Sequence, residues 1–487
     1  MAESLNILFV TSEVSPVVGS GGLAEVAGAL PKELRAKGHD VRLIIPCHGL
    51  VGAGNRGEQC ALVEGDMSWG REYGALRQAT LANTGIPLYL VEHDGFFSRP
   101  GLYDENHGEY PDNAERFSFF AKALLHGMPQ LDWRPDILHV HDWHTGPLVG
   151  LLKTEYRDHP FWGGMPVLFT IHNLQYQGRY DKEKYRLAAL PPELFHPGCA
   201  EFYGDMNMMK MGILLADKLN TVSPRYAQES QTDPEYGFGL EDAIRSRAAD
   251  FSGILNGVDY SVWNPETDEN IPANYGRADL AGKRQCAREL RAMFGLHDNG
   301  KPIVGLVTRM SHQKGLDLLL NAMEQIMDLE VQIVLLGSGD TALESGFHEQ
   351  AHQYPGMIGV ATEYNPWKSH HIMAGCDFVL MPSRFEPCGL AQMYGMKYGA
   401  VPIVRRTGGL ANSVCGLNPV TQKAGNATGI SFVPRTTRAL TQAVGRARAL
   451  YENPELYQRV RANALCQDFS WGRSCERYIS LYREILD

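Results

Sequence analysis

Charged residues follow several apolar stretches whose length and composition are typical of buried strands. Arg309 and Lys314 come after residues 302–308, and Glu386 comes after residues 378–381, in each case ahead of a stretch with helical periodicity. Two cations beside a helix N-terminus can hold a diphosphate without a metal. These positions therefore predict an anion site in a chain whose formal net charge is -11. For Glu386 the alternative is a carboxylate at the protein surface.

Three loops of small residues could bring backbone N–H groups close to a phosphate. The first follows residues 6–10 and contains Gly19, Gly21 and Gly22; the others are residues 387–390 and 405–410. The first loop also has the G-x-G-x-x-A spacing of a dinucleotide site. However, the acidic residue expected roughly 20 positions later, to bind a ribose hydroxyl, is missing. Together the loops favour a phosphate-bearing ligand, with a dinucleotide oxidoreductase as an alternative.

Imidazole and amide side chains cluster after two further apolar runs. His139, His141, Asp142 and His144 lie at and after the end of the run 135–140, and His172 with Asn173 follows residues 167–171. The aspartate stands one position from where a zinc hydrolase pattern needs it. The sequence also contains no Asp-x-Asp pair of the kind that anchors a metal in sugar-nucleotide transfer. We therefore expect these residues to line a ligand site without a metal or other cofactor, with loop capping as the alternative for His172 and Asn173.

The elements that must position these residues repeat one order of strand, glycine loop, helix and strand. The order occurs over residues 6–45, returns over residues 302–336 and continues to residues 401–404. It predicts an α/β fold with two facing Rossmann-like domains and a cleft between them. We expect an N-terminal domain over residues 1–258, a C-terminal domain over residues 259–465, and a C-terminal helix within residues 466–487. The domain boundary is predicted in residues 256–273, where Gly and Pro are frequent and periodicity is lost.

Composition excludes several classes of protein. The 487 residues are 44% hydrophobic and carry a net charge of -11, with no basic run for duplex nucleic acid. The nine cysteines include no Cys-x-x-Cys pair, which favours reduced thiols in a cytoplasm. The N-terminal stretch resembles a buried strand more than a signal peptide, and no apolar run reaches about 18 residues. We therefore expect a cytoplasmic protein that binds neither nucleic acid nor membrane.

The most distinctive stretch is Pro382-Ser-Arg-Phe-Glu-Pro-Cys-Gly-Leu390, followed by Arg405-Arg-Thr-Gly-Gly-Leu410. His141-Asp-Trp-His144, Thr170-Ile-His-Asn173 and Gln313-Lys-Gly-Leu316 support it. Together these motifs resemble the bacterial glycogen synthases and plant starch synthases along the whole chain. The resemblance implies a GT-B fold with its active site in the cleft and a C-terminal helix that crosses back to the N-terminal domain. It also implies retaining transfer of glucose from ADP-glucose to the non-reducing end of an α-1,4-glucan such as glycogen.

The resemblance also implies roles for individual residues. Arg309 and Lys314 would bind the diphosphate, Glu386 would face the reacting carbon, and His172 with Asp142 and Asn173 would hold glucose hydroxyls. Tyr103 would line the sugar site and Tyr364 would stack on the adenine. The remaining donor-binding residues implied by position are Gly21, Gly22, Cys388, Gly389, Leu390, Thr407, Gly408 and Gly409.

The sequence departs from the family pattern in the first glycine loop. The usual Lys-x-Gly-Gly-Leu reads Gly19-Ser-Gly-Gly-Leu23, so a cation expected near the donor is missing. Losing one charge-assisted contact costs about 1.5–3 kcal/mol. The departure keeps open a glucan- or nucleotide-binding protein with lost or altered catalysis. Where retaining transferases of the wider group carry a second Glu, this chain has Tyr394, which synthases of this kind tolerate.

Overall fold

The computed structural model describes residues 4–82, 84–105 and 108–487. It divides into two compact units. Unit 1 runs to Gly257 and also contains Trp471–Asp487, whereas unit 2 is Val258–Ser470. No helix within the described ranges is long and apolar enough to cross a membrane.

Unit 1 is built around a large sheet with helices on both faces. Its strands are β1 Asn6–Val10, β2 Asp40–Pro46, β3 Glu58–Met67, β4 Gly70–Leu81, β5 Ile86–Glu92, β6 Asp104–Glu105, β7 Gly108–Glu109, β8 Ile137–His141, β9 Val167–Ile171, β10 Arg179–Tyr180, β11 Glu201–Phe202, β12 Asp205–Asn207, β13 Lys218–Thr221 and β14 Phe251–Gly253. Its helices before the linker are α1 Gly22–Ala36, α2 Asp94–Phe97, α3 Asn113–Gly127, α4 Gly146–Lys153, α5 Lys182–Leu187, α6 Met208–Leu215, α7 Pro224–Thr232, α8 Pro234–Gly237 and α9 Glu241–Ser246.

The main sheet of unit 1 has nine strands in the order β14-β13-β9-β8-β1-β2-β5-β4-β3. All neighbours pair in parallel except β4, which is antiparallel to both β5 and β3. The central strands are buried along most of their length because helices cover both faces of a parallel sheet. In β1, for example, Ile7 to Val10 are fully buried. The chain direction across the sheet reverses between β1 and β8, which makes that edge a topological switch point.

Unit 2 has a smaller sheet that is wholly parallel. Its strands are β15 Ile303–Val307, β16 Gln332–Leu336, β17 Ile358–Ala361, β18 Phe378–Met381, β19 Val401–Arg405 and β20 Ile430–Phe432. Its helices are α10 Ala281–Phe294, α11 Leu316–Asn321, α12 Met323–Met327, α13 Thr341–Gln353, α14 Pro366–Gly375, α15 Ala391–Lys397, α16 Gly408–Ser413, α17 Pro419–Ala424, α18 Thr437–Tyr451 and α19 Pro454–Leu465. The strand order β17-β16-β15-β18-β19-β20 is the Rossmann order, and its switch point lies between β15 and β18.

The last helix, α20 Trp471–Leu486, belongs to unit 1. It buries one stripe of side chains, including Cys475, Tyr478 and Tyr482, in the same core as the strands β1 and β2. These residues recur at spacings of three and four, as an amphipathic helix requires. The hydroxyls of Tyr478 and Tyr482 reach polar groups of the sheet, because Asn220 Nδ2 donates to Tyr478 and His139 Nδ1 lies 2.8 Å from the Tyr482 hydroxyl.

The predicted α/β class with two Rossmann-like domains is confirmed, and the apolar runs are the strands. The structure differs from the sequence prediction in one helix. The apolar spacing of residues 316–327 predicts a single helix, but the structure interrupts it at Ala322, which separates α11 from α12. The final helix, Trp471–Leu486, lies within the predicted range of residues 466–487. The residues before it are extended, and the Phe469 carbonyl accepts from the Val258 N–H.

Candidate active site

The site residues of unit 2 lie at its switch point. The loop after β15 carries Arg309 and Lys314, and the loop after β18 carries Glu386. Because β15 and β18 pair in parallel, both loops leave the same edge of the sheet. Ligands of open α/β sheets bind outside this edge. Two loops that are 72 residues apart in sequence therefore meet at one position.

Lys314 and Glu386 form a buried ion pair. The Lys314 Nζ donates to Oε1 and Oε2 of Glu386 at 2.9 and 2.7 Å, and the Ser383 hydroxyl donates to Oε2 at 2.9 Å. Glu386 is only 5% exposed. The alternative of a surface carboxylate is therefore wrong, since the carboxylate is fixed by three hydrogen bonds and faces a cation. The pair places one positive and one negative group together at the switch point.

Glycines allow the backbone segments of this site to approach closely. A Cβ at Gly315 would lie 2.3 Å from the Pro382 carbonyl oxygen. At Gly408, where φ is +43°, a Cβ would lie 1.9 Å from the Glu386 carbonyl oxygen, and at Gly409 it would lie 2.0 Å from that of Cys388. Larger residues at these three positions would push the loops apart. The glycines thus set the spacing of the segments that hold Lys314 and Glu386.

The other predicted residues of unit 2 lie on the same sheet edge. Cys388 and Thr407 are buried, Leu390 directly precedes the first residue of α15, and Gly389 adopts a positive φ of 73° that suits glycine. Arg309 is exposed in the β15 loop, and Tyr364 is 81% exposed in the loop after β17. An exposed arginine and an exposed aromatic ring at the carboxyl ends of parallel strands are suited to a phosphate and a planar base.

In unit 1, Asp142 follows β8 in a backbone conformation with φ of 57°, which is uncommon for a residue other than glycine. Its carboxylate accepts the N–H groups of His172, at 2.7 Å, and Asn173. Burial raises the pKa of Asp142 to about 7, although these two hydrogen bonds favour the charged form. The strained turn therefore brings together three residues that sequence analysis predicted separately, at the ends of the neighbouring strands β8 and β9.

His172 lies in a group of buried histidines. Its Nε2 is 3.0 Å from Nδ1 of His141, and burial lowers the pKa of His172 to about 3. Burial also lowers the pKa of His141 well below its usual range. Both rings are therefore neutral near pH 7, and one donates to the other. His141 Nε2 has no hydrogen-bond partner within the described ranges.

Tyr103 and the first glycine loop are joined by a residue that sequence analysis did not single out. Glu13 follows β1 and accepts the Tyr103 hydroxyl at 2.5 Å, the Ser20 hydroxyl at 2.9 Å and the Ser20 N–H at 2.5 Å. The expectation that the amides of this loop are open to a phosphate is therefore wrong for Ser20, whose N–H is taken by a carboxylate. No spacing rule identifies Glu13, because its partner Tyr103 lies 90 residues away in sequence.

Gly21 and Gly22 differ from the glycines of unit 2. A Cβ at either position would meet no atom within 4 Å, and neither residue has a positive φ that disfavours side chains. The packing of the protein itself therefore does not require glycine at these two exposed positions. Close approach of a ligand to the backbone is the remaining physical reason for a glycine.

The histidine clusters do not form a metal site in the structure. Across residues 4–82, 84–105 and 108–487, no three His, Cys, Asp or Glu side chains are arranged to hold a metal ion. The rings of His139, His141 and His172 contact one another and polar groups of the sheet instead.

Two family models match the chain. "Starch synthase catalytic domain" matches residues 6–246, and "Glycosyl transferases group 1" matches residues 291–465. With the parallel sheets and the sites at their switch points, these matches define a glycosyltransferase with two Rossmann-like domains. The chain belongs to the family of glycogen and starch synthases, because full-length relatives carry that function at 40–43% identity. The dinucleotide oxidoreductase alternative is not favoured.

Two of these relatives are glycogen synthases of bacteria. The chain is 41% identical to that of Syntrophotalea carbinolica over 99% of both chains. It is 43% identical to glycogen synthase 1 of Methylococcus capsulatus, over 99% of this chain and 97% of the relative. Among solved structures, the catalytic domain of starch synthase IV from Arabidopsis thaliana, bound to ADP and acarbose, matches with a TM-score of 0.91 and 31% identity, over 99% of this chain and 100% of that one.

Proposed function

We propose that the protein transfers glucose from ADP-glucose to the non-reducing end of an α-1,4-glucan such as glycogen, with retention of the anomeric configuration. The observation that carries the proposal is the buried Lys314–Glu386 pair at the switch point of unit 2. Support for the nucleotide comes from the Arabidopsis relative, whose structure is bound to ADP and acarbose.

Unit 2 would bind the nucleotide diphosphate. Lys314 carries its charge at the carboxyl edge of the sheet, and Arg309 lies exposed in the same loop. Negative charge develops on the diphosphate as the bond to glucose breaks, so cations fixed in advance stabilise the transition state more than the ground state. Glu386 holds Lys314 through both carboxylate oxygens and would face the glucose carbon. Tyr364 would stack on the adenine.

Unit 1 would bind the sugar. The neutral His172, the backbone turn at Asp142 and the side chain of Asn173 provide hydrogen-bonding groups at the ends of β8 and β9. Tyr103 adds an aromatic face and a hydroxyl, and stacks on the ring of His144 at 4.7 Å. Sugar hydroxyls need both donors and acceptors, and these residues supply both. Gly21 and Gly22 leave room for the donor beside the backbone.

The proposal requires no metal or other cofactor, because Lys314 and Arg309 supply the positive charge that a metal would otherwise provide. ADP-glucose and the glucan are the proposed partners, and a cytoplasmic location remains part of the proposal. Nothing in the sequence or structure selects an oligomeric state.

The missing lysine of the first loop can be tested, but a single substitution would be misleading. A Cβ at Gly19 would lie 2.2 Å from the Ala24 Cβ, so Gly19→Lys must move the loop. Adding Ala24→Gly removes the obstructing atom. The double variant therefore tests the charge of the lysine, and Ala24→Gly alone is its matched control.

The test is release of ADP or UDP from the matching glucose conjugate, with and without glycogen, together with proton NMR of the new linkage. We expect release of ADP that depends on glycogen and an α-anomeric signal. Release that does not depend on glycogen, preference for UDP-glucose, or a β-anomeric signal would each contradict one part of the proposal. No release of ADP or UDP by the wild type, with release by Gly19→Lys/Ala24→Gly, would show that the missing lysine at position 19 is the reason for the lost transfer.

A further inference from the structure

We propose that Glu13 is a positioning residue, which ties the glycine loop of residues 19–22 to Tyr103 so that both face the sugar donor in one arrangement. The inference rests on the proposed function and assigns to it a residue outside the family motifs quoted above. Glu13 lies directly after β1, at the switch point of unit 1.

The carboxylate of Glu13 bridges two segments that are about 80 residues apart in sequence. On one side, Oε1 accepts the Ser20 hydroxyl and Oε2 accepts the Ser20 N–H. On the other side, Oε1 accepts the Tyr103 hydroxyl, 90 residues along the chain. Ser12 Oγ lies 2.7 Å from the same hydroxyl. The Tyr103 oxygen is therefore held from two directions, and one carboxylate serves both the loop and the ring.

Glu13 is a buried residue that holds neighbouring groups in place, and it is not a charge at the protein surface. It is only 3% exposed, and its three hydrogen-bond donors are neutral groups. A buried carboxylate needs such donors because it has lost its hydration. Hydrogen bonds to a charged acceptor are also stronger than those between neutral groups. The loop and the ring of Tyr103 are thus joined through hydrogen bonds to one buried carboxylate.

The glycine loop depends on this anchor because it has little else to fix it. Gly19, Ser20, Gly21 and Gly22 are all exposed, and three of the four residues have no side chain. Glycine loses more backbone freedom on ordering than any other residue. Ser20 is the single position of the loop with a side chain, and both of its polar groups bond to Glu13. Without Glu13 the loop would sample many conformations before the donor could bind.

The variant Glu13→Gln tests the anchor with almost no change of shape. One carboxylate oxygen becomes an NH₂ group, which faces a hydroxyl or N–H donor and cannot accept from it. The matched control is Glu115→Gln, which removes a charge from another carboxylate of unit 1 that is equally buried but bonds to Lys184 at 2.9 Å. Both variants lose one buried charge, but only the first disturbs the loop.

We expect Glu13→Gln to raise the KM for ADP-glucose at least about 10-fold, with a smaller fall in kcat, while Glu115→Gln stays within about twofold of the wild type. In the absence of substrate, hydrogen exchange in peptides that cover residues 17–24 should become faster in Glu13→Gln and stay unchanged in the control. Ser20→Ala should raise KM less, and Ser20→Ala added to Glu13→Gln should have little further effect, because both act through one contact.

Unchanged exchange in Glu13→Gln would overturn the proposal, whatever the activity. Faster exchange with unchanged KM and kcat would also overturn it, since the ordered loop would then not matter for the reaction. If Glu13→Gln fails to fold, Ser20→Ala carries the same two measurements. Silence of the wild type in the transfer assay would contradict the proposed function alone, and hydrogen exchange would still decide whether Glu13 holds the loop.

Discussion

Gly409 and Gly21 are glycines for different physical reasons, and an alanine substitution at each position distinguishes the two reasons. We expect Gly409→Ala to destabilise unit 2 by on the order of 1–3 kcal/mol, because its Cβ would lie 2.0 Å from the Cys388 carbonyl oxygen. We expect Gly21→Ala to leave stability unchanged and to weaken donor binding at least about 10-fold, since its Cβ would enter open space. Thermal unfolding and the KM for ADP-glucose measure the two effects. A Gly21→Ala variant with normal KM would show that no ligand approaches this backbone.

Lys314 should matter far more than another paired lysine of unit 2. We expect Lys314→Met to lower kcat by about 100- to 1,000-fold, the range for losing one preorganised electrostatic contact to a transition state. The matched control is Lys301→Met, which breaks the more exposed ion pair with Glu330 and should have little effect. Steady-state kinetics of both variants, at saturating glycogen, makes the comparison. Similar losses in the two variants would remove Lys314 from the proposed role.

Asp142 should make the stability of unit 1 depend on pH in a way that is unusual for an aspartate. Burial raises its pKa to about 7, against about 3.8 in an unfolded chain, so the folded state binds the proton more tightly. The stabilisation from this group is complete below pH 3.8 and is lost as pH rises through 7. We expect the stability of the wild type relative to Asp142→Asn to fall between pH 4 and 7. Denaturant unfolding of both proteins at several pH values measures this difference in unfolding free energy. A difference that does not change with pH would contradict the raised pKa of Asp142.

At the scale of elements, the final helix α20 is tied to the sheet by tyrosine hydroxyls. The Tyr482 hydroxyl bonds to His139 Nδ1 inside the core. We expect Tyr482→Phe to cost about 1–3 kcal/mol of unfolding free energy, because a buried imidazole nitrogen loses its partner. Tyr203→Phe, at an exposed ring, is the control and should change little. Equal stability of both variants in urea would mean that the apolar stripe alone holds the helix.

The strands were predictable from sequence because each is a short apolar run, and such runs have few alternatives in a buried parallel sheet. β1, β9 and β18 have the predicted bounds or differ by a residue. The hairpin of β3 and β4 was not predicted, because its exposed and charged residues interrupt the apolar pattern. The break at Ala322 was not predictable either, since helical spacing continues through it.

The candidate site was only partly predictable. Motifs identified Lys314 and Glu386, but their ion pair depends on β15 and β18 being neighbours, which the sequence does not state. Glu13 had no signal at all, because its carboxylate acquires its partner Tyr103 only when two distant loops meet. Sequence therefore indicated which residues carry charge, whereas the structure was needed to show which groups hold them. Their proposed roles in binding and catalysis stay predictions.

For the whole molecule, buried histidines should set the acid limit of stability. Burial lowers the pKa of His48 and His172 to about 3, against 6.5 for an exposed histidine. It also lowers the pKa values of His139, His141 and His144 well below their usual range. Below pH 6.5 these histidines bind protons in the unfolded chain but stay neutral in the folded chain. Each such histidine then lowers the free energy of unfolding by about 1.4 kcal/mol per pH unit. Five histidines outweigh the opposite effect of the two buried aspartates whose pKa values are raised, Asp142 and Asp377.

We therefore expect the melting temperature to fall steadily as pH drops from 6.5. Differential scanning calorimetry between pH 4 and 8 measures the slope, and His48→Gln should reduce it. A melting temperature that stays constant down to pH 4 would contradict the neutral state of these histidines.

The place of α20 in unit 1 has a consequence for how the chain is made. Synthesis delivers the strands of unit 1 first, but Cys475, Tyr478 and Tyr482, which fill its core, follow all of unit 2 in sequence. Unit 2 is continuous in sequence, so all the residues of its core are synthesised before α20. The order of folding is then the reverse of the order of translation. A nascent chain that stalls before Trp471 would carry a finished unit 2 beside an unfinished unit 1, the form that chaperones must protect.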